Sequence, residues 1–146
     1  MTCTVDASVF VAAARPSERQ FPASREFLRQ LRARAVGVQC PTLVLPECAG
    51  AIARPTSDVA AAEQTQAMIQ GFPDLQLVGV DVSLAQRAAQ IATKCRLRGS
   101  DAVYVAVAEK AVATLVTWDA EMLQRAPAIV PTMTPAEWMA RQTPNP

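Results

Sequence analysis

The sequence predicts an α/β domain of three layers, with a central, mostly parallel sheet between helices on both faces. Short β-branched runs alternate with longer segments of helical spacing along the chain. Two of those runs, "TCTVD" and "TLVTWD", end in aspartate. The length of 146 residues, 51% of them hydrophobic and 18% charged, suits one domain around a single core. Residues 1–141 are therefore expected to form that domain, and residues 142–146 a loose tail.

The first run leads through Asp6, Ala7 and Ser8 into small apolar residues that suit a helix start. Residues 19–35 carry Phe21, Phe27, Leu28 and Leu31 at amphipathic helical spacing, and residues 36–40 form a short strand closed by Pro41. "PTLVLPECAGAIAR" reads as a helix starting or interrupted near Pro46, with Glu47 directly after it. Ser57 is expected to cap the next helix, which ends near Gly71. "LQLVGVD" is a strand, and Ser83 is expected to cap the helix after it. Gly99 punctuates before "SDAVYVAVAEK", a helix for which Ser100 is a candidate cap. A strand ending at Asp119, a short helix, a last strand in "AIVPTM" and a terminal helix with Trp138 packed down complete the order.

Composition excludes several chemistries. There is no histidine, so Ser-His-Asp and Cys-His schemes lack their usual base. Cys3, Cys40, Cys48 and Cys95 are scattered, which argues against a zinc module and for buried free thiols. No apolar run approaches the ~18 residues that span a bilayer, and the N-terminus lacks the pattern of a secretory signal, so a cytoplasmic protein without membrane contact is expected. The net charge of +1 gives no general pull toward nucleic acid. Arg15, Arg19, Arg25, Arg29, Arg32 and Arg34 cluster, and a solvated helix face explains them better than a phosphate site.

What remains is carboxylate chemistry. In a parallel sheet both strand-end aspartates, Asp6 and Asp119, point to one edge, where ligand sites of such folds lie. Asp101 and Glu47, near helix starts, can reach the same edge. Each has a plain alternative: Asp101 as a helix cap, Asp6 or Asp119 as a turn residue, Glu47 as a solvated helix residue. Together, four crowded acids repel unless a cation neutralises them, and oxygen ligands without His or Cys select Mg²⁺ or Mn²⁺. Such a site can activate water and orient a phosphodiester for in-line displacement.

Through "VDASVFVAAA", the acid of "LVLPECAGAIAR", "LRGSDAVYVAVAEK" and "ATLVTWDAEML", the chain resembles the PIN-domain family, in particular the VapC-type toxin ribonucleases. The eighteen-residue spacing from Asp101 to Asp119 is the most specific part. The resemblance implies a Mg²⁺- or Mn²⁺-dependent endoribonuclease cutting single-stranded RNA. It implies Asp6, Glu47, Asp101 and Asp119 as catalytic and metal-binding residues, with Ser8 and Thr117 as supporting hydroxyls. It further implies homodimerisation and a cognate antitoxin that blocks the acidic groove. Pro46 departs from the family pattern, where a helix continues, and calls the placement of Glu47 into question. Glu121 is close enough to Asp119 to add an acid, although a surface role suits it better. The alternative function is a non-catalytic RNA- or protein-binding module. A receiver-like domain lacks support because Asp6 has no acidic neighbour, and a DxD phosphatase because Ser8 stands where the second acid belongs.

Overall fold

The computed structural model describes residues 1–144. The chain runs β1 (Thr2–Val5), α1 (Ala7–Ala14), α2 (Phe21–Ala33), β2 (Gly37–Pro41), α3 (Val44–Thr56), α4 (Val59–Gln70), β3 (Leu75–Val78), α5 (Val82–Cys95) and α6 (Gly99–Ala111). It continues through β4 (Thr114–Val116), α7 (Ala120–Arg125), a 3₁₀ turn (Ala126–Ala128), β5 (Thr132–Met133) and α8 (Pro135–Gln142). The five strands form one sheet in the order β3-β2-β1-β4-β5, with every pairing parallel.

That order reverses direction at β1. The chain steps outward from β1 to β2 and β3, then crosses back to place β4 on the other side of β1. Right-handed crossovers consequently put α1 to α4 on one face and α5 and α6 on the other. The packing agrees: α1 contacts α2, α3 and α4, whereas α6 lies on β1, β2 and β4 with α5 against it. Every residue of α6 from Ala102 to Ala108 is buried, as an all-round apolar helix between a sheet and a neighbour must be. This helix and the central strand β1, with Cys3, Thr4 and Val5 fully buried, anchor the core.

Several local expectations shift. Ser57 does not cap α4: it ends α3 in a left-handed conformation (φ 56°), and Asp58 caps instead, accepting from the Ala61 N–H at 2.9 Å. Ser83 likewise yields to Asp81, which accepts from the Leu84 N–H at 2.8 Å. In both cases a carboxylate accepts the exposed N–H and also opposes the positive helix end, which a hydroxyl does more weakly. Ser100 is not a cap either, because α6 starts at Gly99, with Arg98 as its extended flanking residue. Pro46 falls in the first turn of α3, where a missing N–H costs no helical hydrogen bond, and the helix continues through Glu47. Helix α2 begins at Phe21 beside Pro22, and the last strand contracts to Thr132–Met133 because a 3₁₀ turn takes up Ala126–Ala128.

All four cysteines are buried and free. Burial pushes the Cys40 thiol up to about 12, so it remains a protonated donor, here to the Val5 carbonyl at 3.3 Å. Helix α8 includes Gln142, one residue into the expected tail; residues 145–146 lie outside the described residues. Among the described residues no helix is long and apolar enough to cross a membrane.

Candidate active site

The strand-order reversal opens a crevice beyond the carboxyl ends of β1 and β4, and the residues that follow those strands line it. Asp6 extends β1 by donating its N–H to the Val116 carbonyl (3.0 Å), then caps α1. Its Oδ2 accepts from the Ser8 N–H at 3.3 Å and from the Thr117 hydroxyl at 2.9 Å. Thr117 Oγ1 in turn accepts the Asp119 N–H at 3.0 Å, and Ser8 Oγ accepts the Trp118 N–H at 3.0 Å. The two hydroxyls lie 3.4 Å apart, tying the turns after β1 and β4 together. Ser8 and Thr117 thus fix the backbone that carries both strand-end acids.

Asp119 divides its carboxylate between two tasks. Oδ1 caps α7 by accepting the Met122 N–H at 2.9 Å, and Oδ2 faces the crevice, where it accepts from Arg98 Nη2 at 3.2 Å. Asp101, in the first turn of α6, accepts from Arg98 Nε through its Oδ2 at 3.0 Å. One guanidinium therefore bridges two carboxylates that come from different elements. Glu47 enters from the first turn of α3, and its Oε1 is buried without a hydrogen-bond partner, as is the Tyr104 hydroxyl of α6.

The electrostatics reflect this crowding. Burial raises the Asp6 carboxyl, with Ser8 and Thr117 pulling it back and the Asp119 charge adding to the rise. Burial also raises Asp101, against the opposing Arg98, with Asp6 and Asp119 contributing. Glu47 is raised by burial first, reinforced by Asp6 and Asp101 and opposed by Arg98. The charges of Asp6, Glu47 and Asp101 thus act on one another across the crevice, and that of Asp119 acts on Asp6 and Asp101.

Among the described residues, no three Asp, Glu, His or Cys side chains lie close enough together, as placed, to hold one metal ion. The chemistry of the donor set still fits a hard divalent cation. It is oxygen-only, one buried carboxylate oxygen is orphaned, and Asp101 and Asp119 already converge on a common positive group. Beside Glu47 a cavity of about 850 Å³ opens, lined by Pro46, Gly50, Ala51, Arg54 and Arg98.

Two further residues escaped the sequence reading. Arg98 was legible only as a helix-spaced neighbour of Asp101, since nothing local marks its contact with Asp119. Trp118 donates its indole N–H to the fully buried Ser24 hydroxyl at 2.8 Å, which pins the turn after β4 to α2. Glu121 pairs with Arg125 one turn along α7 and takes the surface role. The arginine cluster is largely self-satisfied: Arg15 pairs with Glu18 at 3.1 Å and Arg29 with Glu26 at 2.7 Å, while Arg25 and Arg32 stack over Phe21 and Phe72.

A family model described as the PIN domain matches residues 3–128. The chain belongs to the PIN-domain family. Solved structures agree in fold. VapBC2 of Rickettsia felis, bound to a promoter DNA fragment, superposes with a TM-score of 0.70 at 13% identity, covering 92% of this chain and 98% of that one. PAE2754 of Pyrobaculum aerophilum gives 0.69 at 22% identity, with 97% and 94% covered. VapC20 of Mycobacterium tuberculosis, a sarcin-ricin loop cleaving toxin, gives 0.67 at 19% identity, with 81% and 90% covered. No curated protein matches the chain.

Burial of Asp6 in this PIN domain has a thermodynamic signature. Because folding raises the Asp6 carboxyl above its ordinary 3.8, the unfolded chain ionises first as pH rises, and the native state loses stability from there until its own carboxyl has ionised. Asn at this position can still cap α1 and accept from Thr117. The Tm of Asp6→Asn minus that of the wild type, both in EDTA, is therefore expected to grow as pH rises from about 3.8 and then level off above the raised native value. Melting curves across this range test it; a pH-independent difference would contradict the buried-carboxylate assignment.

Proposed function

We propose that this PIN domain, spanning residues 1–141, is a Mg²⁺- or Mn²⁺-dependent endoribonuclease of the cytoplasm and the toxin of a type II toxin–antitoxin pair. The observation that carries this reading is the convergence of Asp6, Glu47, Asp101 and Asp119 on the crevice at the strand-order reversal, with two of them already sharing a cation. These four side chains would hold the ion after drawing closer together than they stand without it. The chemistry such an ion supplies when bound is activation of water for in-line attack on a phosphodiester and relief of charge on the leaving oxygen.

The chain's own residues set the geometry. Thr117 and Ser8 orient Asp6, while the N-terminus of α7 consumes one oxygen of Asp119 and leaves the other for the site. Burial of Asp101 on α6 limits its motion. Arg54, on the wall of the adjoining cavity, offers positive charge to the phosphates of an approaching single strand. A homodimer and a cognate antitoxin that covers the crevice complete the proposal. Similarity in fold to VapBC2 of Rickettsia felis, described bound to a DNA fragment from its promoter, supports the antitoxin part.

The test is cleavage of single-stranded RNA by the purified protein in Mn²⁺ or Mg²⁺. Cleavage is expected to stop with EDTA and return with excess Mn²⁺. Cleavage that persists in EDTA would reject metal dependence, and RNA binding without cleavage under any condition would establish the binding-module alternative. Growth arrest on expression, relieved by the product of an adjacent small gene, is the expected result for a toxin.

A further inference from the structure

Arg98 is the residue that neither the fold nor the nuclease reading absorbs. It sits just before α6, its side chain 67% exposed, yet it donates Nε to Asp101 and Nη2 to Asp119, whose side chains are 8% and 27% exposed. A long, solvent-facing side chain thus places its charge on two acids that are themselves largely withdrawn from water. We propose that Arg98 is a built-in counter-cation: it holds Asp101 and Asp119 together in the metal-free protein and must be displaced by the metal ion that these residues bind. The inference rests on the nuclease reading given above.

The geometry sets the two occupants in competition. Arg98 uses the same Oδ2 of Asp119 that remains after Oδ1 has capped α7, and the Oδ2 of Asp101. A hard cation held by these carboxylates would compete with the guanidinium for their oxygens and repel its charge. Release is sterically easy, because the cavity of about 850 Å³ beside Glu47 is already partly lined by Arg98. Without Arg98, the two carboxylates would face each other uncompensated, which favours opening of the crevice in the absence of metal. Arg98 is thereby a positioning residue: it keeps the ligands assembled and sets a threshold on metal concentration.

The prediction has opposite signs in two measurements, which separates it from a merely structural role. Relative to the full wild-type chain, Arg98→Gln is expected to bind Mn²⁺ more tightly in calorimetric titration, by roughly five- to tenfold for the loss of exposed charge-assisted contacts. The same variant is expected to melt lower in EDTA and to gain more Tm on Mn²⁺ addition. Arg54→Gln removes an equal charge from the same cavity without touching the acids, and its Mn²⁺ affinity is expected to stay within about twofold of wild type. Unchanged or weaker Mn²⁺ binding by Arg98→Gln, in a protein that binds Mn²⁺ and cleaves RNA, would overturn this inference and leave the nuclease reading standing. Equal tightening in both variants would reduce the effect to general field and also overturn it. Absence of Mn²⁺ binding in the wild type and in Arg98→Gln alike would remove both readings.

Discussion

Asp101→Asn is expected to lower RNA cleavage by about 10²–10³-fold, the scale set by removing one preorganised electrostatic group from a reacting centre, while the protein keeps its fold. The substitution conserves shape at a site that is 5% exposed, so the packing of α6 against β1, β2 and β4 is undisturbed. The carboxylate makes no capping hydrogen bond in the structure; its partner is Arg98, which retains Asp119 after the change. What disappears is one negative charge and one strong oxygen ligand. Burial already penalises the ionised form of Asp101, so the neutral amide costs the metal-free fold little and can raise its Tm. Cleavage assays at fixed Mn²⁺ alongside circular dichroism separate the two effects. Cleavage equal to wild type would remove Asp101 from the active site.

Phe27→Ala is expected to have the largest effect on stability, about 3–5 kcal/mol, which corresponds to roughly 10–15 °C in Tm for a domain of this size. Phe27 is fully buried on α2, and its ring meets that of Trp138 on α8 edge-to-face, with centroids 5.2 Å apart and planes at 84°. Truncation leaves a cavity between two helices and removes the aromatic contact. The match to the PIN-domain family model ends at residue 128, before α8 begins. Thermal melts followed by circular dichroism and by tryptophan fluorescence give both readouts: one shared transition would show that α8 belongs to the same cooperative unit, and a separate, earlier fluorescence transition would mean that α8 packs as a dispensable appendage.

Much of the fold was legible because its signals are local. Alternation of β-branched runs with helical spacing marks the elements, and an all-apolar stretch such as "AVYVAVA" marks a helix buried on every side. Strand-end aspartates announce an edge once the strands are taken as parallel. Caps were less legible: Ser57, Ser83 and Ser100 compete with neighbouring residues for each helix start, and a shift of one or two residues changes no periodicity. Glu47 shows the same ambiguity, since Pro46 is disruptive inside a helix and harmless in its first turn.

By itself, then, the sequence determined the class of fold, the order of its elements and the acids available for chemistry, because hydrophobic period and residue type act over a few neighbouring positions. Tertiary structure decided which groups meet. Only the sheet order β3-β2-β1-β4-β5 brings the turn after β1 beside the turn after β4, so that Thr117 reaches Asp6 across 111 positions of chain. Only the crossover through α5 and α6 sets Arg98 between Asp101 and Asp119. Charges and hydrogen bonds act through space over a few ångströms, and which residues stand that close is a property of the packed sheet rather than of any local stretch of chain.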